Sequence, residues 1–434
     1  MPAAGTQAPA GKVVIDTPES GRTRGHGRGA ARPASRKTFS LWLAAYAFAV
    51  VMLGTTLPTP LYPFYERRWG FSALIITVIF AVYAVGVIAA LLFLGSVSDR
   101  VGRRPALAAA LALSALSAVA FLLAGGLGAL LAGRALSGLS AGIVTGAGTA
   151  ALVDLAPPGR PSFASRVATA VNLGGLGCGA LLAGVVAAFA VAPLRLPFWV
   201  DLALLVPAFA AVTLVPETVR RSRGQVVRVQ RLRVPAALRG TFTRAAAAGF
   251  ASFAMSGLFS AVAPTFLARL LHQRSPALAG AMVFALFIAS AAGQLAVGRM
   301  SARAGLCTGC IGIAVGAGLV AGALALGSLA LLIAGAVVAG LGQGLSVGAG
   351  LAALNTEAPS GRRGEVASSY FVVLYVALSI PIVGVGLAAQ VIGLRPAALI
   401  FTGLVAALAV ACLVSLLADR RISRHSGQVR FMRD

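Results

Sequence analysis

The sequence predicts an all-α membrane protein of twelve transmembrane helices, arranged as two six-helix pseudo-repeats with both termini cytoplasmic. Three observations predict it. Only 11% of the 434 residues are charged and 59% are hydrophobic, against about 25% charged in soluble proteins. Apolar runs long enough to cross a bilayer, about 20 residues each, recur twelve times. The polar joints between them match across the two halves of the chain at a near-constant offset.

The expected spans lie near 40–58, 72–94, 105–124, 127–153, 166–190 and 197–215, and resume near 244–267, 277–297, 306–326, 328–354, 366–391 and 395–418. The 52 glycines suit close helix packing in lipid, where small residues let backbones approach. A net charge of +25 in a soluble protein would suggest nucleic acid. Here 29 of the 36 Lys and Arg residues fall on segments that are cytoplasmic when the N-terminus is inside. The charge therefore sets topology by the positive-inside rule and predicts no nucleic-acid partner. The chain is expected in the cytoplasmic (inner) cell membrane as a multi-pass protein.

Residues 1–39 form a basic tail rich in Gly, Pro, Ala and Arg, expected to be disordered. Residues 40–215 make the N-terminal six-helix half, 216–243 a basic cytoplasmic linker, 244–418 the C-terminal half and 419–434 a second cytoplasmic tail. Gly95-Ser-Val-Ser-Asp99-Arg100-Val-Gly102 follows the second span, and Gly298-Arg-Met-Ser-Ala302-Arg303-Ala-Gly305 follows the eighth, 203 positions later. Ala156-Pro157 and Ala358-Pro359 pair in the same way, 202 positions apart. Such matching indicates duplication of a six-helix unit, a parallel repeat.

Chemistry-bearing residues are sparse. Cys307-Thr-Gly-Cys310 has redox or metal spacing, but at the start of a hydrophobic helix with no second Cys or His pair nearby it reads as small core residues, and no metal site is expected. The phosphate-binding glycine loop of ATP-driven pumps is absent. No catalytic residue and no cofactor are expected.

The joint Gly95-Ser-Val-Ser-Asp99-Arg100-Val-Gly102-Arg103-Arg104 resembles the signature of the major facilitator superfamily between helices 2 and 3, with every fixed position met. Leu130-Leu-Ala-Gly-Arg134-Ala-Leu-Ser-Gly138 is similar to that family's helix 4 motif, which accompanies proton coupling. Gly175-Leu-Gly-Cys-Gly179-Ala180-Leu-Leu-Ala183-Gly184 resembles its helix 5 antiporter motif, with Ala180 and Ala183 replacing a proline and a glycine. Pro381 and Gly384 stand in the counterpart helix 11. Among family members the chain most resembles bacterial twelve-helix drug-efflux proteins, proton antiporters.

That resemblance implies two halves rocking about a cavity lined by helices 1, 2, 4, 5, 7, 8, 10 and 11. It implies a conformational gate at Gly95, Asp99, Arg100, Gly102, Arg103 and Arg104, with Asp99 meeting the N-terminal end of helix 11. Gly138, Gly142, Gly175, Gly179, Gly184, Pro381 and Gly384 are assigned to helix packing. Arg134, Asn172, Gln294, Gln343 and Tyr375 are the coupling or substrate candidates, because polar side chains in apolar spans are costly. Arg134 lies roughly 6 Å from the span end, so snorkelling to the interface is an alternative. The implied function is secondary active transport of a small molecule by alternating access, as proton-coupled export of hydrophobic or amphipathic compounds. Protons and the lipid bilayer are the other partners, and a monomer is expected. A proton-coupled importer of a neutral metabolite or sugar is the alternative, which would want more hydrogen-bonding residues in the cavity. A membrane-embedded enzyme or sensor is the third reading, and it lacks a polar catalytic cluster.

Overall fold

The computed structural model describes residues 34–94, 98–157, 160–219, 232–359 and 362–418. Gly95, most of both tails and the middle of the linker lie outside them. Among the described residues, twelve helices are long and apolar enough to span a membrane. They are α1 (Lys37–Trp69), α2 (Ala73–Leu94), α3 (Arg103–Leu122), α4 (Leu127–Asp154), α5 (Ser162–Phe189) and α6 (Leu196–Leu214), then α7 (Ala236–Arg269), α8 (Pro276–Arg299), α9 (Ala302–Leu326), α10 (Leu329–Glu357), α11 (Arg363–Ile392) and α12 (Leu394–Ala418). The face where α1 begins and α12 ends is called the terminal face, and its opposite the distal face. Among the described residues there is no strand.

Local chemistry sets the helix ends. Ser72 caps α2 by accepting from the Ile75 N–H, and Ser275, 203 positions on, caps α8 by accepting from the Leu278 N–H. Gly70 follows α1 with φ 66°, the left-handed conformation that glycine adopts at little cost.

The first span runs past its expected end at 58. Pro58, Pro60 and Pro63 read as a stop, yet the chain makes a 3₁₀ turn over Thr59–Leu61 and restarts as a helix over Tyr62–Trp69. Pro63 falls in the first turn of that restart, where no intrahelical bond needs its missing N–H. The seventh span is likewise longer, with a π turn over Leu258–Val262 ahead of Pro264. The C-terminal ends of these two spans, Tyr62–Trp69 and Ala263–Arg269, meet at the distal face.

Duplication is visible in the packing. A Cβ built on Gly138 would overlap the Tyr83 carbonyl and lie 3.0 Å from Cα of Gly86. In the other half, a Cβ on Gly340 would overlap the Leu286 carbonyl and approach Cβ of Ala289 at 3.0 Å. Gly142 packs on Ala90 and the Val87 carbonyl, and Gly344 on the Ser290 carbonyl. Both pairs, α2 with α4 and α8 with α10, thus touch backbone to backbone, where a larger residue has no room. Gly175 and Gly179 press α5 onto α1 at the Ala49 and Leu53 carbonyls. Gly184 presses it onto α8 at Pro276, across the two halves. Gly384 does not share this role: it is exposed and a Cβ there meets nothing within 4 Å. Pro381 interrupts the hydrogen bonding inside α11, and Gly386 makes the close approach to Thr77 of α2.

Two sequence motifs gain a physical role. The Glu217 carboxylate, just after α6, accepts from the backbone N–H of Arg103 at 2.8 Å and of Arg104 at 3.2 Å. It caps the first turn of α3, where the N–H groups are unpaired and the dipole is positive. Gly102 makes room for it: φ is 113° and a Cβ would collide with that carboxylate. Arg103 also donates to Asp154 and Ser98, and Arg104 is exposed. Replacing Glu217 by Ala is expected to lower stability by about 1 kcal/mol, read as a reduced melting temperature in detergent; an unchanged value would contradict the cap.

Cys307 and Cys310 pack in the core as small residues. Cys412 of α12, remote in sequence, packs with Cys310 and half-buried Cys307 of α9 in one apolar cluster. All are free thiols, and Cys178 is exposed on α5.

Candidate functional site

A cavity of about 130 Å³ lies between the halves. Its walls come from α1, α2, α4, α5, α7, α8, α10 and α11, the eight helices expected there. Arg134, Asn172, Gln294, Gln343 and Tyr375 all line it.

Arg134 is 1% exposed and turns inward, which rules out snorkelling. Its Nη1 donates to the Thr55 carbonyl at 2.7 Å and its Nη2 donates to the Tyr62 hydroxyl. The rings of Tyr62, Phe80 and Tyr83 surround the guanidinium, each centroid 5.6 Å away. These faces attract a cation. The 3₁₀ turn that carries α1 past Pro58 places Tyr62 within reach of Arg134, so the unexpected extension builds part of the site.

The opposite wall is aromatic and amide. Tyr375 meets Phe253 edge-on at 5.8 Å and Tyr83 at 6.5 Å, the latter contact bridging the halves. Among Phe250, Phe253, Met255 and Phe259 of α7, Phe253 lines the cavity; Met255 and Phe259 are buried in the core. The Asn172 Oδ1, the Gln343 Oε1, the Thr59 Oγ1 and the Arg134 Nε are buried without hydrogen-bond partners. Sequence reasoning missed Tyr62, Thr59, Ser256, Ser260 and Ser290. Three other large polar residues of the spans lie elsewhere. Tyr370 packs beside Gly249 and Gly350, Asn355 does not reach the cavity, and Gln390 donates to Ser72 at 3.1 Å.

Asp201 does not line the cavity. It is 2% exposed on α6, and its carboxylate faces Gly54 of α1 and Ser114 of α3, behind the cavity wall. Asp99 lies in the short helix Ser98–Val101, and its side chain is outside the described residues. Arg100 is half-buried in the same turn.

The halves are held together at the distal face. Arg269, last in α7, donates to Glu66 near the end of α1. The Gln390–Ser72 bond ties α11 to α2 nearby. Glu66 and Arg269 stand 203 positions apart, the offset of the two serine caps, so they occupy equivalent places in the two repeats.

No curated protein sequence matches the chain. Among solved structures it is similar to a bacterial homologue of the human lysosomal transporter Spinster, in an inward-facing and unoccupied conformation. That match has 15% identity and a TM-score of 0.66, covering 90% of this chain and 99% of that one. It is also similar to the human organic anion transporter MFSD10, at 19% identity and a TM-score of 0.62, covering 88% and 99%. At such identities these likenesses speak for the fold alone. The family model described as "Major Facilitator Superfamily" matches residues 44–270, more than half of the chain. With twelve spanning helices, a duplicated six-helix unit and a cavity between the halves, the chain belongs to the Major Facilitator Superfamily.

Proposed function

We propose that this alternating-access transporter exports small amphipathic or hydrophobic compounds in exchange for protons. The observation that carries the reading is the cavity itself. It is a mainly neutral space with aromatic walls and few polar groups, between halves clasped at the distal face. Arginine placement supports a cytoplasmic terminal face, so this state would load from the cytoplasm. Arg134 and Gly138 supply the helix 4 motif associated with proton coupling.

The test is proton movement in inverted membrane vesicles with an acid interior, on adding hydrophobic antibiotics and dyes. Compounds that dissipate the gradient only when the protein is present support export. An inert panel, with uptake of a neutral metabolite by whole cells, supports the importer instead.

Within this reading Asp99 latches the terminal face when the distal face opens. A carboxylate at a helix N-terminus contributes about 0.3–2 kcal/mol. Asp99→Asn is therefore expected to leave expression intact, shift the population toward the distal-closed state and slow export severalfold. Unchanged transport at normal expression would remove the latch.

A further inference from the structure

Among the described residues, Arg134 is the only charged one lining the cavity. Its guanidinium carries a full positive charge. Every partner it has is uncharged: a backbone carbonyl, a phenol and three aromatic rings. A buried charge ordinarily has an opposite charge beside it, because neutral dipoles replace only part of its lost hydration. The Arg134 Nε has no acceptor at all. The cavity therefore carries one positive charge that no lining acid balances.

The remaining orphans point the same way. The Thr59 Oγ1, Asn172 Oδ1 and Gln343 Oε1 are buried polar atoms without partners. Thr59 and Gln343 are 1% and 4% exposed. Buried polar groups are normally satisfied, so these are places for a ligand's hydroxyl or amide hydrogens. Phe80, Phe253 and Phe287 offer the apolar contact between them.

We infer that the substrate of this cavity is an amphipathic organic monoanion. A carboxylate or comparable single anionic group accepts from Arg134, an aromatic or aliphatic body lies against the phenylalanines, and a hydrogen-bonding end meets Gln343 and Asn172. A cation would be repelled by Arg134 in a space of low dielectric. A dianion would bring a second charge that nothing on the walls compensates. The inference rests on the transporter reading above and narrows its substrate class.

The experiment uses the full-length protein in lipid nanodiscs and three compounds on one scaffold: 1-naphthylacetate, 1-naphthylacetamide and 2-(1-naphthyl)ethylammonium. Binding is measured by titration calorimetry. The carboxylate is expected to bind at least about tenfold tighter than the amide, since hydrogen bonds to charged groups are the stronger ones. The ammonium compound is expected not to bind. Arg134→Lys keeps a reduced preference for the carboxylate, and Arg134→Gln equalises carboxylate and amide. Equal or absent binding of the carboxylate to the unaltered protein overturns the inference, as does a preference that survives Arg134→Gln. The ranking in the unaltered protein decides the matter even if the variants fold poorly. Proton-coupled movement of neutral dyes without carboxylate preference would sink the monoanion and leave the exporter. Selective carboxylate binding without proton-coupled movement would do the reverse.

Discussion

Reversing the charge at Glu66 with Glu66→Arg is expected to open the distal face and stall the transport cycle. The Glu66 side chain is 10% exposed and that of Arg269 is 56% exposed. A half-exposed pair is screened, so neutralising it by Glu66→Gln should cost about 1 kcal/mol. Charge reversal does more, because it sets two guanidinium groups against each other where attraction stood. A combined effect of about 2–3 kcal/mol would move the population roughly 30- to 150-fold. Nitroxide labels at Arg68 and Arg274, exposed on opposite halves near the pair, would report it as a longer distance in pulsed electron resonance. The double exchange Glu66→Arg with Arg269→Glu should restore the short distance and much of the transport. A distance distribution that ignores Glu66→Arg would mean the pair does not hold the face closed.

The second large effect is on stability. Gly138→Leu should separate α2 from α4, because the new Cβ would land on the Tyr83 carbonyl. Overpacking costs about 1–3 kcal/mol where side chains can shift. Backbone cannot shift as a side chain can, so the cost should reach the top of that range, and a fall in melting temperature of about 5 °C or more is expected. Gly340→Leu should behave alike, since it meets the Leu286 carbonyl in the second half. Gly318→Leu is the control: it is exposed on α9, with nothing within 4 Å of its Cβ. Equal melting temperatures for the three variants would refute the close-packing account.

The twelve spans were legible because bilayer thickness demands long apolar runs, and the duplication because joint motifs repeat at a fixed offset. The continuation of α1 beyond Pro58 was not legible. Proline reads as a helix stop, and only the three-dimensional restart shows Pro63 in a tolerated first-turn position. In the cavity, Arg134, Asn172, Gln294, Gln343 and Tyr375 stood out because large polar groups are rare inside apolar spans. Ser256 and Ser260 gave no such signal. A serine in a spanning helix bonds its own backbone, as the Ser256 hydroxyl does to the Ser252 carbonyl at 3.2 Å. Sequence depth alone left Arg134 free to point either way; Thr55 and Tyr62 decide it. The link between Glu66 and Arg269 joins two halves of the chain, and no local pattern announces it.

That link also bears on how such a molecule could have arisen. Glu66 and Arg269 are the same position of the repeat, and they meet each other. Had two identical six-helix subunits come together about a symmetry axis, that position would have faced its own copy, acid against acid or base against base. The clasp could exist only after the two copies were free to diverge. A chain rebuilt from two N-terminal halves would inherit the ancestral conflict, with glutamate facing glutamate at the distal face.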